Sequence, residues 1–437
     1  MGRIAHPASE KDTASIGTFA SSPENITSKA IKKRLAMRPL FLWIAGILIQ
    51  VYFPCHELSV FLLLPLAVML ALAFFLRPPQ SEESRASLLW GFAFSLLLLF
   101  VSIQTTEYAI LNLDTPLPPS PLRSWAENIQ QLLSKRYALL DLSAEGKALL
   151  STLTLGDRSD MPWELKQQFS AAGAAHILAV SGFHVGVVCA FVNGLLSFLP
   201  LHGRIGWLRI AMTVGILLSY ALITGMSSST LRATAMALLF FVSMKVERYA
   251  DSGNLLATSA LLMLIYNPLY LFDIGFQLSY AAVFAILYMN TNHLRKFYMF
   301  NPLLRIPYQW IMISIAAQMG TLFLCLHHFG SSSLVFLFTN IPVMLCSLLL
   351  IPLSIAWLFV PQSFFLADTM QAGVETLTEC LLLVVERFGD PRYASFSLRL
   401  SALETVLAYI GLAVLLLFLQ KRMSKKPPPD LSKRTYS

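Results

Sequence analysis

Titratable and hydroxyl side chains stand inside apolar sequence in the segment 155–194. The segment begins polar, becomes small and apolar at Ala171, and then places His176, Ser181 and His184 in sequence that we expect to lie in a membrane. Ionisable groups deep in lipid are costly, and they usually face the interior of a helix bundle or a water-filled cavity. These three side chains therefore indicate either the wall of a pore or an active site.

Small residues recur at every fourth position of the same segment. They are Gly182, Gly186, Ala190 and Gly194. In membrane helices this spacing lets a second backbone approach closely. We therefore predict that this side of the helix packs against a neighbour.

Hydrolytic chemistry would require a serine and a histidine within hydrogen-bond reach of each other. On one unbroken helix His176 and His184 lie within about 80° of each other, whereas Ser181 lies about 140° from His176. That geometry does not supply the pair, although a helix break at Gly182 or Gly186 would change it. The residues alone leave two interpretations open, a pore wall and an intramembrane hydrolase with Ser181 as nucleophile and either histidine as base.

Two later clusters place further polar groups at membrane depth. Arg232 lies about one turn inside a predicted span, where it can snorkel to the interface or meet a partner. Asp273 is bracketed by helix-interrupting residues and is followed by Gln277. Asp273 is a candidate helix cap and a candidate partner for Arg232 or a histidine. We predict that these three residues join the polar groups of segment 155–194 in lining or bracing a path.

The sequence predicts no metal site, no cofactor and no disulfide framework. The five cysteines are scattered and form no CxxC pair. The adjacent His327 and His328 point about 100° apart on a helix, which does not suit chelation of one metal. We interpret these two histidines as interfacial residues.

The composition indicates a polytopic helical membrane protein. Of the 437 residues 56% are hydrophobic and only 13% are charged, and the mean hydropathy is +0.64. Repeated apolar runs of about 17 to 25 residues predict an all-α fold with about 11–12 transmembrane helices, some of them broken. The helical spacing of apolar residues from Trp125 onward predicts amphipathic helices on the outer face.

The net charge of +8 mainly reflects basic residues that indicate the orientation of the protein in the membrane. Thirteen of the 32 Lys and Arg residues lie in or beside the two tails, which predicts a bacterial inner-membrane protein with both termini cytoplasmic. The loop 388–402 conflicts with this orientation, because it is predicted to lie outside and yet contains Arg392 and Arg399.

Changes in composition divide the chain into five predicted parts. They are a disordered cytoplasmic tail at 1–37, N-terminal transmembrane helices at 38–104, an external linker with amphipathic helices at 105–170, a transmembrane core at 171–420 and a basic cytoplasmic tail at 421–437. Met37 directly precedes the first span, so it is a candidate start codon beside Met1.

Several motifs in order resemble those of the ComEC competence-protein family. They are LGDRSDMPWELKQQFSAAGAAHILAVSGFHVGVV, ITGMSSSTLRATAMALL, NPLYLFDIGFQLSYAAVFAIL and, more weakly, QMGTLFLCLHHFG and FTNIPVMLCSLLLIPL. The resemblance is strong over roughly 145–357. We expect the chain to lack two parts that family members often carry, an external OB-type domain and a C-terminal domain similar to metallo-β-lactamases.

The resemblance implies an inner-membrane channel or permease core that passes single-stranded DNA inward during natural transformation, without a catalytic residue of its own. The expected partners are single-stranded DNA, membrane lipid, a periplasmic DNA-binding protein, a cytoplasmic helicase or ATPase and a separate nuclease. The alternatives are the serine hydrolase described above and a small-solute exporter or degenerate competence remnant.

Overall fold

Helices make up almost all of the structure, which confirms the predicted all-α class. The computed structural model describes residues 36–54, 67–68, 71, 83–113, 121–198, 206–246, 251–292 and 302–424. Most of each predicted tail (1–35 and 425–437) and most of the apolar run at 59–76 lie outside the described residues.

Fifteen α-helices follow one another along the described part of the chain. In order they are α1 (Met37–Tyr52), α2 (Glu83–Leu111), α3 (Pro121–Tyr137), α4 (Ala144–Leu155), α5 (Trp163–Ala171), α6 (Gly182–Ser197), α7 (Gly206–Ile223), α8 (Ser228–Val246), α9 (Ser252–Tyr266), α10 (Ile274–Asn292), α11 (Pro302–His328), α12 (Phe336–Phe359), α13 (Ala367–Phe388), α14 (Pro391–Ala394) and α15 (Ala402–Ser424). The described residues also form two 3-10 helices (Ala175–Ile177 and Pro268–Phe272) and two short strands, β1 (Ser331–Ser333) and β2 (Ser395–Ser397).

Among the residues that the structure describes, three helical segments are long and apolar enough to cross a membrane. They are Gly91–Leu111, Ile306–His328 and Phe336–Phe359. Seven further apolar helices in the described part of the chain are 10–17 residues long over their apolar stretch. The protein is therefore a helical membrane protein, and the number of 11–12 spans stays a prediction.

One core cluster joins α4, α5, α12 and α13. Its fully buried members include Leu149 and Leu153 of α4, Phe169 of α5, Leu350 of α12 and Leu381 of α13. Part of the segment that follows Trp125, for which amphipathic helices on the outer face are predicted, therefore contributes to the core of the bundle. The side chains of α3 are largely exposed, whereas α4 is buried along most of its length.

Two further clusters join other helices of the bundle. The second joins the valine-rich side of α6 to α7, α8 and α12, and the third joins α1 and α2 to α9 and α10. Ile351 of α12 belongs to the second cluster, while its neighbour Leu350 belongs to the first. Helix α12 therefore connects the first two clusters, and α8 connects the second and third through Ala233 and Leu231.

The two strands form an antiparallel ribbon that the sequence did not predict. Ser331 pairs with Ser397 and Ser333 pairs with Ser395. The Leu398 N–H extends the ribbon by donating to the Gly330 carbonyl oxygen at 3.0 Å. The ribbon therefore ties the end of α11 to the segment between α13 and α15.

The loop 388–402, which contains Arg392 and Arg399, has an internal ion pair. Arg392 Nη2 lies 2.6 Å from Asp390 Oδ2. The hydrogen bonds from Arg392 lower the pKa of Asp390 to about 2, so both groups stay charged at neutral pH. Since acidic residues contribute little to membrane orientation, the charge of Arg392 still conflicts with the outside assignment predicted for this loop.

Candidate functional site: a polar cluster at one end of the bundle

The segments that resemble the competence family meet at one end of the bundle. A Cβ added to Gly156, which ends α4 with a φ of 75°, would lie 3.0 Å from the Thr224 carbonyl oxygen and 3.3 Å from Val180 Cγ2. A Cβ added to Gly182 would lie 3.9 Å from Ala233 Cβ. The C-termini of α4 and α7 and the N-termini of α6 and α8 are therefore neighbours.

Ser181 and His184 form a hydrogen-bonded pair at the start of α6. Ser181 Oγ lies 2.9 Å from His184 Nδ1, and the Ser181 N–H donates to the same nitrogen at 3.3 Å. Ser181 Oγ also accepts from the Phe183 N–H at 3.2 Å. His184 is fully buried, and its Nε2 has no hydrogen-bond partner among the described residues.

This pair corrects the geometry expected from one unbroken helix. The chain forms a 3-10 helix at Ala175–Ile177 and enters α6 only at Gly182, with Ser181 as its N-cap. The predicted angles between His176, Ser181 and His184 therefore do not apply, and His176 is exposed while His184 is buried. Reciprocal bonding between an N-cap serine and the third helical residue is a capping box, which satisfies backbone N–H groups at a helix start.

The cap predicts how substitutions at Ser181 behave. Ser181→Ala is expected to cost about 1 kcal/mol of stability because the N-cap acceptor is lost, whereas Ser181→Asn keeps an acceptor and should retain most of it. Thermal unfolding of the two variants in detergent measures this difference. A hydrolytic serine makes the opposite demand, since asparagine cannot replace the nucleophile. Labelling of wild type by a fluorophosphonate probe that both variants lose would contradict the capping role.

Arg232 and Asp273 form an ion pair between α8 and the start of α10. Arg232 Nη1 is 3.6 Å from Asp273 Oδ1, and the two side chains are 3% and 40% exposed. Asp273 also caps α10, because its Oδ1 accepts from the Phe276 N–H at 2.7 Å. The Ser228 hydroxyl at the start of α8 lies 3.5 Å from the same oxygen. One carboxylate oxygen therefore serves a helix cap and a buried guanidinium.

Gln277 joins the site to the end of α11 through His328, a residue that the sequence predicted to be interfacial and not a member of the polar cluster. Gln277 Oε1 lies 3.1 Å from His328 Nε2, and Gln277 Nε2 donates to the Leu271 carbonyl oxygen at 3.0 Å. The neighbouring His327 Nδ1 donates to the Leu400 carbonyl oxygen at 2.9 Å. The polar residues GSSS at 330–333, one residue after the two histidines, were the available signal that α11 ends in a polar environment.

The small-residue side of α6 has few close neighbours. Gly182 has the Ala233 contact given above, but a Cβ at Gly186 or Gly194 would meet nothing within 4 Å among the described residues. Ala190 is exposed as well. Close packing of α6 therefore comes from its valine side, and contact through the small residues remains a prediction at Gly186, Ala190 and Gly194.

The described residues contain no group of three or more His, Cys, Asp and Glu that could hold a metal ion. The side chains gathered at this end of the bundle are one guanidinium, one carboxylate, an amide, imidazoles and hydroxyls. Such a set can hold an anion or a hydrogen-bonding ligand.

Three curated relatives show similarity over part of the chain. ComE operon protein 3 of Bacillus subtilis is 29% identical over 197 residues, which cover 44% of this chain and 24% of that protein. Competence protein ComA of Neisseria gonorrhoeae is 28% identical over 158 residues, or 35% of this chain and 22% of that protein. The uncharacterized protein YcaI of Escherichia coli is 32% identical over 149 residues, or 32% of this chain and 19% of that protein.

The chain therefore spans about a quarter or less of the length of these relatives. No solved structure matches it. The family model described as "Competence protein" matches residues 153–423, the region that contains the polar cluster. Since this match covers more than half of the chain, the protein belongs to the competence protein family.

Proposed function

We propose that this chain is the membrane core of a channel that passes single-stranded DNA across the bacterial inner membrane, with both termini cytoplasmic. The observation that carries the proposal is the meeting of the family's signature segments around a buried arginine at one end of an apolar helical bundle. A polyanion needs positive or hydrogen-bonding groups along its route and no strong ring of negative charge.

The charge distribution of the cluster fits a polyanion. Arg232 is buried, and the neighbouring carboxylate of Asp273 is engaged by the cap of α10 and by Arg232 itself. Ser181, His184 and Gln277 add hydrogen-bonding groups near the same end of the bundle. Two of the relatives are named for competence, which supports single-stranded DNA as the cargo and the lipid bilayer as the surroundings.

A deletion strain tests the function directly. We expect loss of the gene to abolish the entry of labelled DNA into the cytoplasm and to lower the frequency of transformation to background, and the intact gene to restore both. Normal transformation of the deletion strain would remove the proposal and would favour an exporter or a degenerate remnant.

Point variants then test the site. Arg232→Ala and His184→Ala are each expected to lower DNA entry by at least about tenfold, the effect of losing about 1.4 kcal/mol from a favourable contact. Arg209→Ala is the matched control, because Arg209 lies at the opposite end of the bundle and donates to the Asn193 carbonyl oxygen. Normal DNA entry with both site variants, at normal protein levels, would show that these residues are not on the path.

A further inference from the structure

The guanidinium of Arg232 has more donors than the described structure satisfies. Its side chain is 3% exposed, and neither Nε nor Nη1 has a hydrogen-bond acceptor among the described residues. The carboxylate oxygen of Asp273, at 3.6 Å from Nη1, is beyond hydrogen-bond distance. A buried charge that lacks hydrogen bonds is expensive, so these donors indicate a missing acceptor.

Helix geometry adds positive charge at the same place. Arg232 lies four residues after the start of α8, and a Cβ on Gly275, the second residue of α10, would lie 3.5 Å from Arg232 Nη2. Each helix N-terminus is equivalent to about half a positive charge, and a cation there is disfavoured. The two N-termini and the guanidinium together supply about two positive charges, against one negative charge on Asp273.

The charge balance therefore leaves about one positive charge without a partner. A phosphodiester carries one negative charge on two oxygens that accept hydrogen bonds, and arginine binds such oxyanions with strong, charge-assisted hydrogen bonds. A group of this charge would balance the site. It would also accept from the donors that the protein leaves free.

We propose that Arg232, at the N-termini of α8 and α10, binds a backbone phosphodiester of single-stranded DNA, with Asp273 as the counter-ion that the phosphodiester displaces or joins. This inference rests on the proposed function and deepens it. Asp273 holds Arg232 in place when DNA is absent, and the phosphodiester supplies the second negative charge when DNA is present.

Binding of an oligonucleotide to the purified full-length protein tests the site. The protein is placed in nanodiscs of phosphatidylcholine, and a short fluorescent oligothymidylate is titrated at several salt concentrations. Arg232→Gln is expected to weaken binding by about tenfold or more, the typical worth of one charge-assisted contact. It should also make the log–log salt dependence shallower by about 0.7.

Matched variants separate charge from packing. Arg232→Lys keeps the positive charge but loses the planar guanidinium that can form two parallel hydrogen bonds. This variant should bind the oligonucleotide with intermediate affinity. Asp273→Asn should bind the oligonucleotide at least as tightly as wild type, because it removes the competing charge while asparagine still caps α10. Arg209→Gln should bind as wild type. An oligomer with an uncharged methylphosphonate backbone should bind weakly and equally to all of them.

Three results would overturn the site. The first is equal affinity of wild type and Arg232→Gln for the oligonucleotide, and the second is equal weakening of binding by Asp273→Asn and Arg232→Gln. The third is an effect of Arg232→Gln that is seen only with phosphatidylglycerol in the nanodisc, which would identify a lipid headgroup as the ligand. A deletion strain that transforms normally would instead remove the proposed function. Loss of transformation on deletion, with unchanged binding by Arg232→Gln, would remove only this site.

Discussion

Replacing Gly173 with alanine is expected to destabilise the protein so strongly that most of the folded protein is lost from the membrane fraction. Gly173 has a φ of 80°, and an added Cβ would lie 2.8 Å from Phe336 Cβ and 2.9 Å from Ser333 Cβ. The left-handed backbone costs a non-glycine residue about 1–2 kcal/mol and overpacking costs about 1–3 kcal/mol more. That sum is a large share of the about 5–15 kcal/mol by which proteins are stable.

Gly186→Ala is the matched control for this prediction. Gly186 lies inside α6, and a Cβ there would meet nothing within 4 Å among the described residues. Alanine inside a helix is favoured over glycine by about 1 kcal/mol, so this variant should be as stable as wild type or slightly more stable. Detergent-extracted yield and thermal unfolding measure both variants. Equal stability of Gly173→Ala and Gly186→Ala would contradict the close approach of Gly173 to Phe336 and Ser333.

The two partners of the ion pair are expected to respond unequally to removal. Asp273→Asn leaves Arg232 buried at two helix N-termini without a carboxylate, and we expect a loss of about 2 kcal/mol, reduced by the partial exposure of Asp273. Arg232→Met should cost less, because Asp273 is 40% exposed and keeps its bond to the Phe276 N–H. Thermal unfolding in a chloride buffer free of phosphate measures the difference.

The double variant provides the check on this asymmetry. Without the buried charge, the loss of Asp273 removes only a charged cap that asparagine largely replaces. Arg232→Met with Asp273→Asn should therefore be about as stable as Arg232→Met alone. If Asp273→Asn costs the same with and without Arg232, the two residues are not energetically coupled.

Much of the fold follows from apolar runs and helix punctuation, while burial does not. Hydropathy predicted an all-helical membrane protein, and its three longest apolar helices include α12, the connector of two core clusters. The same information did not predict how deeply α4 is buried. Leu149, Leu150 and Leu153 are fully buried because α4 packs in one cluster with α5, α12 and α13.

The site was predictable as a set of residue types but not as a set of contacts. The rule that membrane charges seek partners made Arg232 one candidate partner of Asp273, beside a histidine and a helix cap. The Ser181–His184 bond was missed because the angles assumed a helix that continues through residue 181. The chain instead breaks before Gly182, and a capping box forms at a spacing of three residues. Three-residue strands such as Ser331–Ser333 are too short for a period of two to be recognised.

The ribbon of β1 and β2 has a consequence for the order of biosynthesis. Its second strand follows the first by about 60 residues, which corresponds to about 3–12 s of synthesis at about 5–20 residues per second. During that interval α12 and α13 are made while β1 has no strand to pair with. The polar end of the bundle is therefore completed late, when β2 has been synthesised and pairs with β1. This pairing joins the end of α11 to the segment that precedes α15.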